Sequence, residues 1–375
     1  MRVLLFIPDL QMGGAERTVV RLAQHLDRTR FDVQVAWSGL WGMAGDVIRG
    51  LGIPLHFFNF KTDNPEDVIQ LYRALRPDVY LSFGYRLIYK DLLAARKAGI
   101  RTIITRRADM RHWDNAQQQT EADQIRNSVT RLVIACSEAA ARVCHRVEQL
   151  GWSKIMVIHN GVELPGLTSR RPESGIRRQL GLPPDVLLLG NTANYRTLKG
   201  YTTLLQALRL VTQTHPGVHL VACGTEVEAG HLEELRGLAA ALGLSDKVSF
   251  LPEQTNLDPI YGDLDLFIQS SVTEGLSNSL LEAMSWGIPV VATAVGGTAE
   301  AIADPECGSL IPHSDENAMA QSILALVRAP ERRALLGKQA RARIEEHFTV
   351  PRMIAGYESA FQKARHNLPL KEDQA

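Results

Sequence analysis

Hydrophobic residues along this chain fall into short runs, separated by longer stretches with apolar residues at helical spacing. A run that is apolar on successive residues has no solvent face, which suits a strand inside a parallel sheet covered by helices. In the first half the pattern predicts strands over 3–7, 31–37, 79–82, 102–105, 131–136 and 155–159. Helices are expected over 15–26, over 67–75 with Pro77 closing it, and over about 138–150. Residues 164–184 are rich in Pro, Gly, Ser and Arg, as linkers tend to be. A second series then predicts strands over 187–192, 219–223, 248–251, 264–269 and 289–294, and helices over 200–214, 228–242 and 279–286. A last helix, near 353–366, is surplus to that series.

The fold class read from this pattern is α/β: two Rossmann-like, doubly wound parallel-sheet domains in tandem. The expected division is 1–165 for the first domain, 166–184 for a linker, 185–350 for the second, and 351–375 for a C-terminal helix and tail. Sheets of this kind bind ligands beyond the carboxyl ends of their strands, so a cleft between the two domains is expected to hold the ligand.

Composition narrows the class. With 375 residues, 45% hydrophobic and 22% charged, the chain has enough apolar surface for two ordinary cores and is not a disordered protein. Formal net charge is zero, and no basic field points to nucleic acid. The balance is uneven, however: residues 1–165 carry 22 Lys+Arg against 17 Asp+Glu, and the remainder 19 against 24. A basic first half could face an anionic acceptor or a membrane surface, or could be scattered solvated arginine. Cys136, Cys144, Cys223 and Cys307 show neither metal spacing nor a small-domain disulfide pattern, and read as buried thiols in a reducing compartment. The opening apolar run ends at Pro8 and Asp9, too short for a membrane span and without a cleavage site, so it reads as a core strand of a cytoplasmic protein.

Candidate chemistry sits in the turns after the strands. Gly13-Gly14 joins the first strand to the first helix, where backbone N–H groups can approach an anion or simply make a tight turn. This turn does not spell G-x-G-x-x-G, the second strand ends in Trp37-Ser38 rather than an acidic residue, and no P-loop lysine motif occurs. These absences argue against a nicotinamide or flavin dehydrogenase and against a P-loop NTPase.

Residues 273–284, TEGLSNSLLEAM, carry the densest constellation. Glu274 lies in the loop after a strand and Glu282 on the following helix; a carboxylate accepting two hydrogen bonds matches a vicinal diol of a ribose or hexose. Gly275, Leu276 and Ser277 can turn N–H groups at the helix start toward phosphate or sugar oxygens. Ser279-x-x-Glu282 also spells a capping box, in which the glutamate would only close the helix. A second glycine turn, Gly296-Gly297, follows the strand after it. Arg196 and Lys199 follow the first strand of the second half, where they could neutralise a diphosphate or form a solvated surface pair.

In order and spacing, GGAER near the start, HNGV at 159–162, KG at 199–200, VSFLPE at 248–253, EGLSNSLLEAM at 274–284 and GIPVVATAVGG at 287–297 resemble the retaining glycosyltransferases of family 4 (GT4). The resemblance implies the GT-B fold, with acceptor on the first domain, donor on the second, and the last helix crossing back to the first. It implies that Glu282 holds the donor ribose, Glu274 faces the transferred sugar or its phosphate, Lys199 and Arg196 meet the diphosphate, and Gly13 and Gly14 approach the leaving group. Gly275, Leu276 and Ser277 complete the donor contacts. No cofactor and no metal is expected beyond the nucleotide sugar itself, since no Asp-x-Asp motif stands where a diphosphate would sit. A saccharide or lipid-linked acceptor, and a location at the inner face of the cytoplasmic membrane, follow by analogy.

Two departures from the family stand out. Asn194 occupies the position of a frequent arginine, and the frequent histidine after the fourth strand of the first domain is replaced by Arg106 and Arg107. Arg107 or His112 is expected to take that reaction-centre contact, with Arg106, Arg107 and His112 as candidates for binding an anionic acceptor. A retaining transfer of a hexose-type sugar is the expected activity. A sugar-nucleotide epimerase of the same fold and an inactive nucleotide-sugar-binding partner are the alternatives.

Overall fold

The structure is a computed structural model that describes residues 1–60, 62–84, 89–108, 121–166 and 175–366. By internal contacts the chain divides into two units: Met1–Gly161 with the final helix Val350–His366, and Val162–Thr349.

The first unit holds one parallel sheet of β1 (Arg2–Ile7), β2 (Asp32–Trp37), β3 (Leu55–Phe57), β4 (Val79–Ser82), β5 (Ile103–Arg107), β6 (Leu132–Ala135) and β7 (Ile155–Val157). Their order across the sheet is β3-β2-β1-β4-β5-β6-β7. Successive residues of β1 go to opposite sides: Val3, Leu5 and Ile7 enter one apolar cluster, Leu4 and Phe6 another. Both faces are dry, so the strand can exist only with helices above and below it. The cluster around Val3 is closed by helix Gly14–His25 and by the final helix, whose Met353, Tyr357 and Phe361 are buried there. Phe361 lies 6.0 Å from Phe31, ring centre to ring centre, and Glu358 binds Arg30 at 2.7 Å.

The second unit repeats the plan with β8 (Leu187–Thr192), β9 (Val218–Gly224), β10 (Val248–Pro252), β11 (Leu266–Gln269), β12 (Val290–Thr293) and β13 (Ser309–Ile311), ordered β10-β9-β8-β11-β12-β13. All pairings in both sheets are parallel. Each sheet therefore reverses its strand order once, between β1 and β4 and between β8 and β11. Such a reversal splays the two following loops apart and opens a crevice at the strand ends.

The second unit starts earlier than its first strand suggests. Val162 donates to the Phe348 carbonyl at 2.8 Å, and Arg177, on the short helix Ile176–Gln179, binds Asp263 through its backbone N–H at 2.9 Å. Its guanidinium pairs with Asp265. Part of the segment composed like a linker is thus bonded into the second unit. The edge strands β3 and β13, three residues each, escaped the pattern because so short a run gives no period to detect. All four cysteines are buried, and none of them forms a disulfide. Among the described residues no helix is long and apolar enough to cross a membrane.

Because Phe361 is fully buried between the helix and Phe31, Phe361→Ala is expected to cost about 3–5 kcal/mol. Urea denaturation followed by fluorescence checks this. A loss below about 1 kcal/mol would mean the final helix is dispensable to the first unit.

Candidate active site

At the reversal between β8 and β11 two loops are laced together. The Ser270 hydroxyl donates to the Lys199 carbonyl at 2.8 Å, and Val272 N–H to the Leu198 carbonyl at 2.9 Å. Lys199 ends a 3-10 turn, Thr197–Lys199, and its ammonium meets Glu274 Oε1 at 2.6 Å. The Ser271 hydroxyl donates to the same oxygen at 2.8 Å. One lysine and one carboxylate, each with part of its surface open, therefore face the crevice as a fixed pair. An ion pair at this depth is electrostatically stronger than one in open water, and either member can be recruited by a ligand of suitable charge.

Glu274 is fixed from behind by the second glycine turn. Gly296 has φ +51°, and a Cβ there would overlap the Glu274 carbonyl oxygen. Gly297 N–H donates to the Gly275 carbonyl at 2.9 Å. The turn at 296–297 therefore acts as a close backbone support for the Glu274 loop.

Helix Asn278–Ser285 begins at an N-cap, Ser277, whose hydroxyl accepts from Leu280 N–H at 3.2 Å. Ser279 is not the cap, so the capping-box reading of Glu282 falls away. Glu282 instead accepts from the Tyr261 hydroxyl at 3.2 Å, and that hydroxyl lies 2.7 Å from Thr192 Oγ1 at the end of β8. Gly275 and Leu276 are buried in the loop between the two glutamates.

In the first unit, Gly13 is the N-cap of helix Gly14–His25. Three residues on, Glu16 folds back so that its carboxylate fills the space a Gly13 side chain would need and accepts from the Gly13 backbone N–H. This is one half of a capping box, with glycine in place of the usual serine. Burial pushes the Glu16 carboxyl up to about 7, and Asp9 adds to the push; backbone N–H groups and Arg106 act the other way.

Two family models match the chain: "Glycosyl transferases group 1" over residues 173–343 and "Glycosyltransferase Family 4" over residues 12–164. The chain belongs to the group 1, family 4 glycosyltransferases. It is similar to D-inositol 3-phosphate glycosyltransferase of Mycolicibacterium smegmatis, 30% identical over 66% of this chain and 57% of that protein. Against several further D-inositol 3-phosphate glycosyltransferases the match spans about half of their length. The lipopolysaccharide core biosynthesis glycosyltransferase LpsE of Rhizobium meliloti is 28% identical over 84% of this chain and 86% of its own. Among solved structures, HepE of Anabaena in complex with UDP and glucose superposes with TM-score 0.85 over 96% of this chain and 99% of its own, at 20% identity. At that identity the likeness speaks for the fold, GT-B.

The candidate residues of the second unit do not all meet. Lys199 and Glu274 do. Arg196 turns toward Glu228, its Nε 3.9 Å from Oε1, while Glu228 also accepts from Thr197 N–H and hydroxyl. Arg106 and Arg107, consecutive on β5, leave opposite faces of the sheet. Arg107 is buried with its Nε 3.2 Å from both oxygens of Glu148 and its Nη2 3.3 Å from Asn127. The residue expected at the reacting sugar or as an anion receiver thus stands in a buried pair with Glu148, while its Nη1 has no hydrogen-bond partner among the described residues. Arg106 is buried too, bonded to Asn160 at 2.7 Å and seated 5.6 Å from the Phe83 ring centre. His112 lies outside the described residues. The reading from sequence missed Glu16, although its place three residues after Gly13 is a capping signal, and Tyr261, which carries no motif at all.

Gly296→Ala is expected to destabilise the second unit by more than about 1 kcal/mol, since alanine disfavours positive φ and its methyl meets the Glu274 carbonyl. A melting curve indistinguishable from wild type would refute the supporting role. Glu16 predicts a pH effect of known sign. Its carboxyl ionises near 4.5 in the unfolded chain and near 7 in the fold, so its contribution to stability is full below pH 4.5 and is lost as pH rises through 7. Glu16→Gln stays neutral and should gain stability over wild type as pH goes from about 5 to about 8. Urea midpoints at several pH values read this directly; parallel curves for the two proteins would contradict it.

Proposed function

We propose that this glycosyltransferase moves a hexose-type sugar from a nucleoside diphosphate sugar to a hydroxyl of a saccharide or lipid-linked acceptor, with retention of configuration. The observation that carries this reading is the Lys199–Glu274 pair at the strand-order reversal of the second unit, 2.6 Å apart. A diphosphate leaving group needs a fixed cation and a sugar needs a fixed acceptor of hydroxyl hydrogen bonds; the pair supplies both.

Lys199 neutralises the β-phosphate as the bond between it and the anomeric carbon breaks and the electron pair leaves with the phosphate oxygen. The acceptor oxygen forms the new bond on the same face, and its proton passes to the departing phosphate. Glu274 orients sugar hydroxyls and is not itself attacked, because the nucleotide already leaves readily. Backbone N–H groups at Gly275, Leu276 and Ser277 add partial positive charge at a helix start. Glu282, oriented by Tyr261, binds the ribose diol. With Lys199 in this role the reaction needs no metal and no further cofactor. The similarity to LpsE, a lipopolysaccharide core biosynthesis enzyme, and to HepE, solved with UDP and glucose, supports a place in polysaccharide or glycolipid synthesis; location at the inner face of the cytoplasmic membrane is part of the same proposal.

A panel of nucleotide sugars scored by thermal shift and by slow release of nucleoside diphosphate tests the reading. One donor should stabilise the protein, and Glu282→Ala should weaken it roughly tenfold to a hundredfold, the worth of hydrogen bonds to a charged group. Glu274→Gln should cut turnover sharply. Full turnover and affinity in Glu274→Gln would refute the site, and no stabilisation by any donor would refute the function.

A further inference from the structure

The first unit carries an aromatic group that nothing above uses. Trp37 ends β2 and Phe57 ends the neighbouring β3, directly across from each other in register, with ring centres 5.2 Å apart. Trp41 stands edge-on to Trp37 at 5.3 Å. Phe57 keeps 54% of its surface exposed, Trp41 38% and the adjoining Leu40 61%. Exposed rings gathered at the carboxyl ends of strands, where sheets of this class take ligands, are an unusual use of apolar surface.

The group is held rigidly, and it is held to the segment that leads into the Gly13–Gly14 turn. Leu10 N–H donates to the Leu40 carbonyl at 2.8 Å, Leu40 N–H to Asp9 Oδ1 at 2.8 Å, Ser38 N–H to the Pro8 carbonyl at 3.2 Å and Gly45 N–H to the Leu10 carbonyl at 3.3 Å. Trp41 is fixed in its own plane. Its indole N–H donates to Asp46 at 3.1 Å, the Arg49 guanidinium lies 5.0 Å from its ring centre, and Gly45 gives the ring a seat, since a Cβ there would come within 2.9 Å of it. Arg49 in turn binds Asp46 at 2.7 Å.

We propose that this shelf, with Trp41 at its centre, is a subsite for the acceptor in which one pyranose ring of a neutral saccharide stacks on the aromatic faces. A pyranose has a C–H face and a hydroxyl rim, and the shelf offers flat rings with the carboxylates of Asp9 and Asp46 beside them. The charge argues for a sugar over a membrane. An aromatic anchor dipping into an anionic bilayer wants basic neighbours in excess and a free indole N–H; here the N–H is taken by Asp46, the Arg49 guanidinium beside the Trp41 ring is paired with that same carboxylate, and Asp9 adds a further negative charge. The word acceptor rests on the transferase reading above; the stacking of a pyranose does not.

The test is a titration of the full chain, labelled at the indole nitrogen, with methyl glucopyranosides, galactopyranosides and mannopyranosides and with short oligomers of each. The Trp41 indole N–H resonance, assigned by its loss in Trp41→Phe, should move with at least one of them, with Kd on the order of millimolar. Read at the indole N–H of the neighbouring Trp37, which both variants keep, Trp41→Phe, with its flat ring, should bind within about fivefold of wild type, and Trp41→Ala at least about tenfold more weakly. The wild-type titration decides the matter even if Trp41→Ala folds poorly. No movement with any saccharide, or undiminished saccharide binding in a folded Trp41→Ala, overturns the proposal. So does broadening of the Trp41 signal by phosphatidylglycerol vesicles while every saccharide leaves it still. Thermal shift with nucleotide sugars reports separately on the second unit: a donor that binds while no pyranoside does sinks the shelf alone, and the reverse sinks the transferase reading alone.

Discussion

The central strands of both sheets are covered on both faces, and that constraint shapes where the site's polar groups can stand. A strand such as β1, with Val3, Leu5 and Ile7 buried on one side and Leu4 and Phe6 on the other, leaves no solvent-facing position along its length. Charged and hydrogen-bonding groups are pushed to the ends of the strands, where the backbone turns toward the next helix. Where two neighbouring strands send their chains in opposite directions, the turns part and a crevice results. Lys199 and Glu274 stand at one such place, the Gly13 turn beside another.

Within that frame the second unit shows how a loop is made rigid without a regular element. The Glu274 loop is tied to the Lys199 loop by two hydrogen bonds to its backbone carbonyls and braced by Gly296 and Gly297 from the turn after the following strand. Three separate stretches of sequence thereby hold one carboxylate. Such pre-set geometry is what allows an ion pair to serve chemistry, since no reorganisation is needed when a charged ligand arrives. The first unit uses the same device at Gly13, but with an acid whose ionisation burial opposes.

Much of this was legible in the sequence, for a physical reason. Doubly buried strands such as 79–82 and 187–192 leave a compact apolar run, and the loops that follow them carry the polar motifs, so Glu274, Lys199 and Gly13 could be picked out in one dimension. What was hidden depends on partners far away in the chain. Arg107 looks free as text; its match with Glu148, 41 residues on, is a fact of packing. Tyr261 reads as one core aromatic among several until its hydroxyl is found between Thr192 and Glu282. Trp41 follows Ser-Gly-Leu and looks like an ordinary loop residue, because a ring's exposure and its neighbours are set by the fold. Ser279-x-x-Glu282 misled in the opposite direction: the spacing was right for a cap, but the helix started at Ser277 instead.

The final helix, Val350–His366, completes the first unit although the whole second unit lies between it and residue 161. In a growing chain, the second unit is continuous and can close as soon as residue 349 is free of the ribosome. The first unit, begun earlier, must hold its Val3–Phe31 face uncovered through the synthesis of 188 residues until Phe361 arrives. The half made first is therefore the half finished last, and its apolar face is the surface that a nascent-chain chaperone would have to guard.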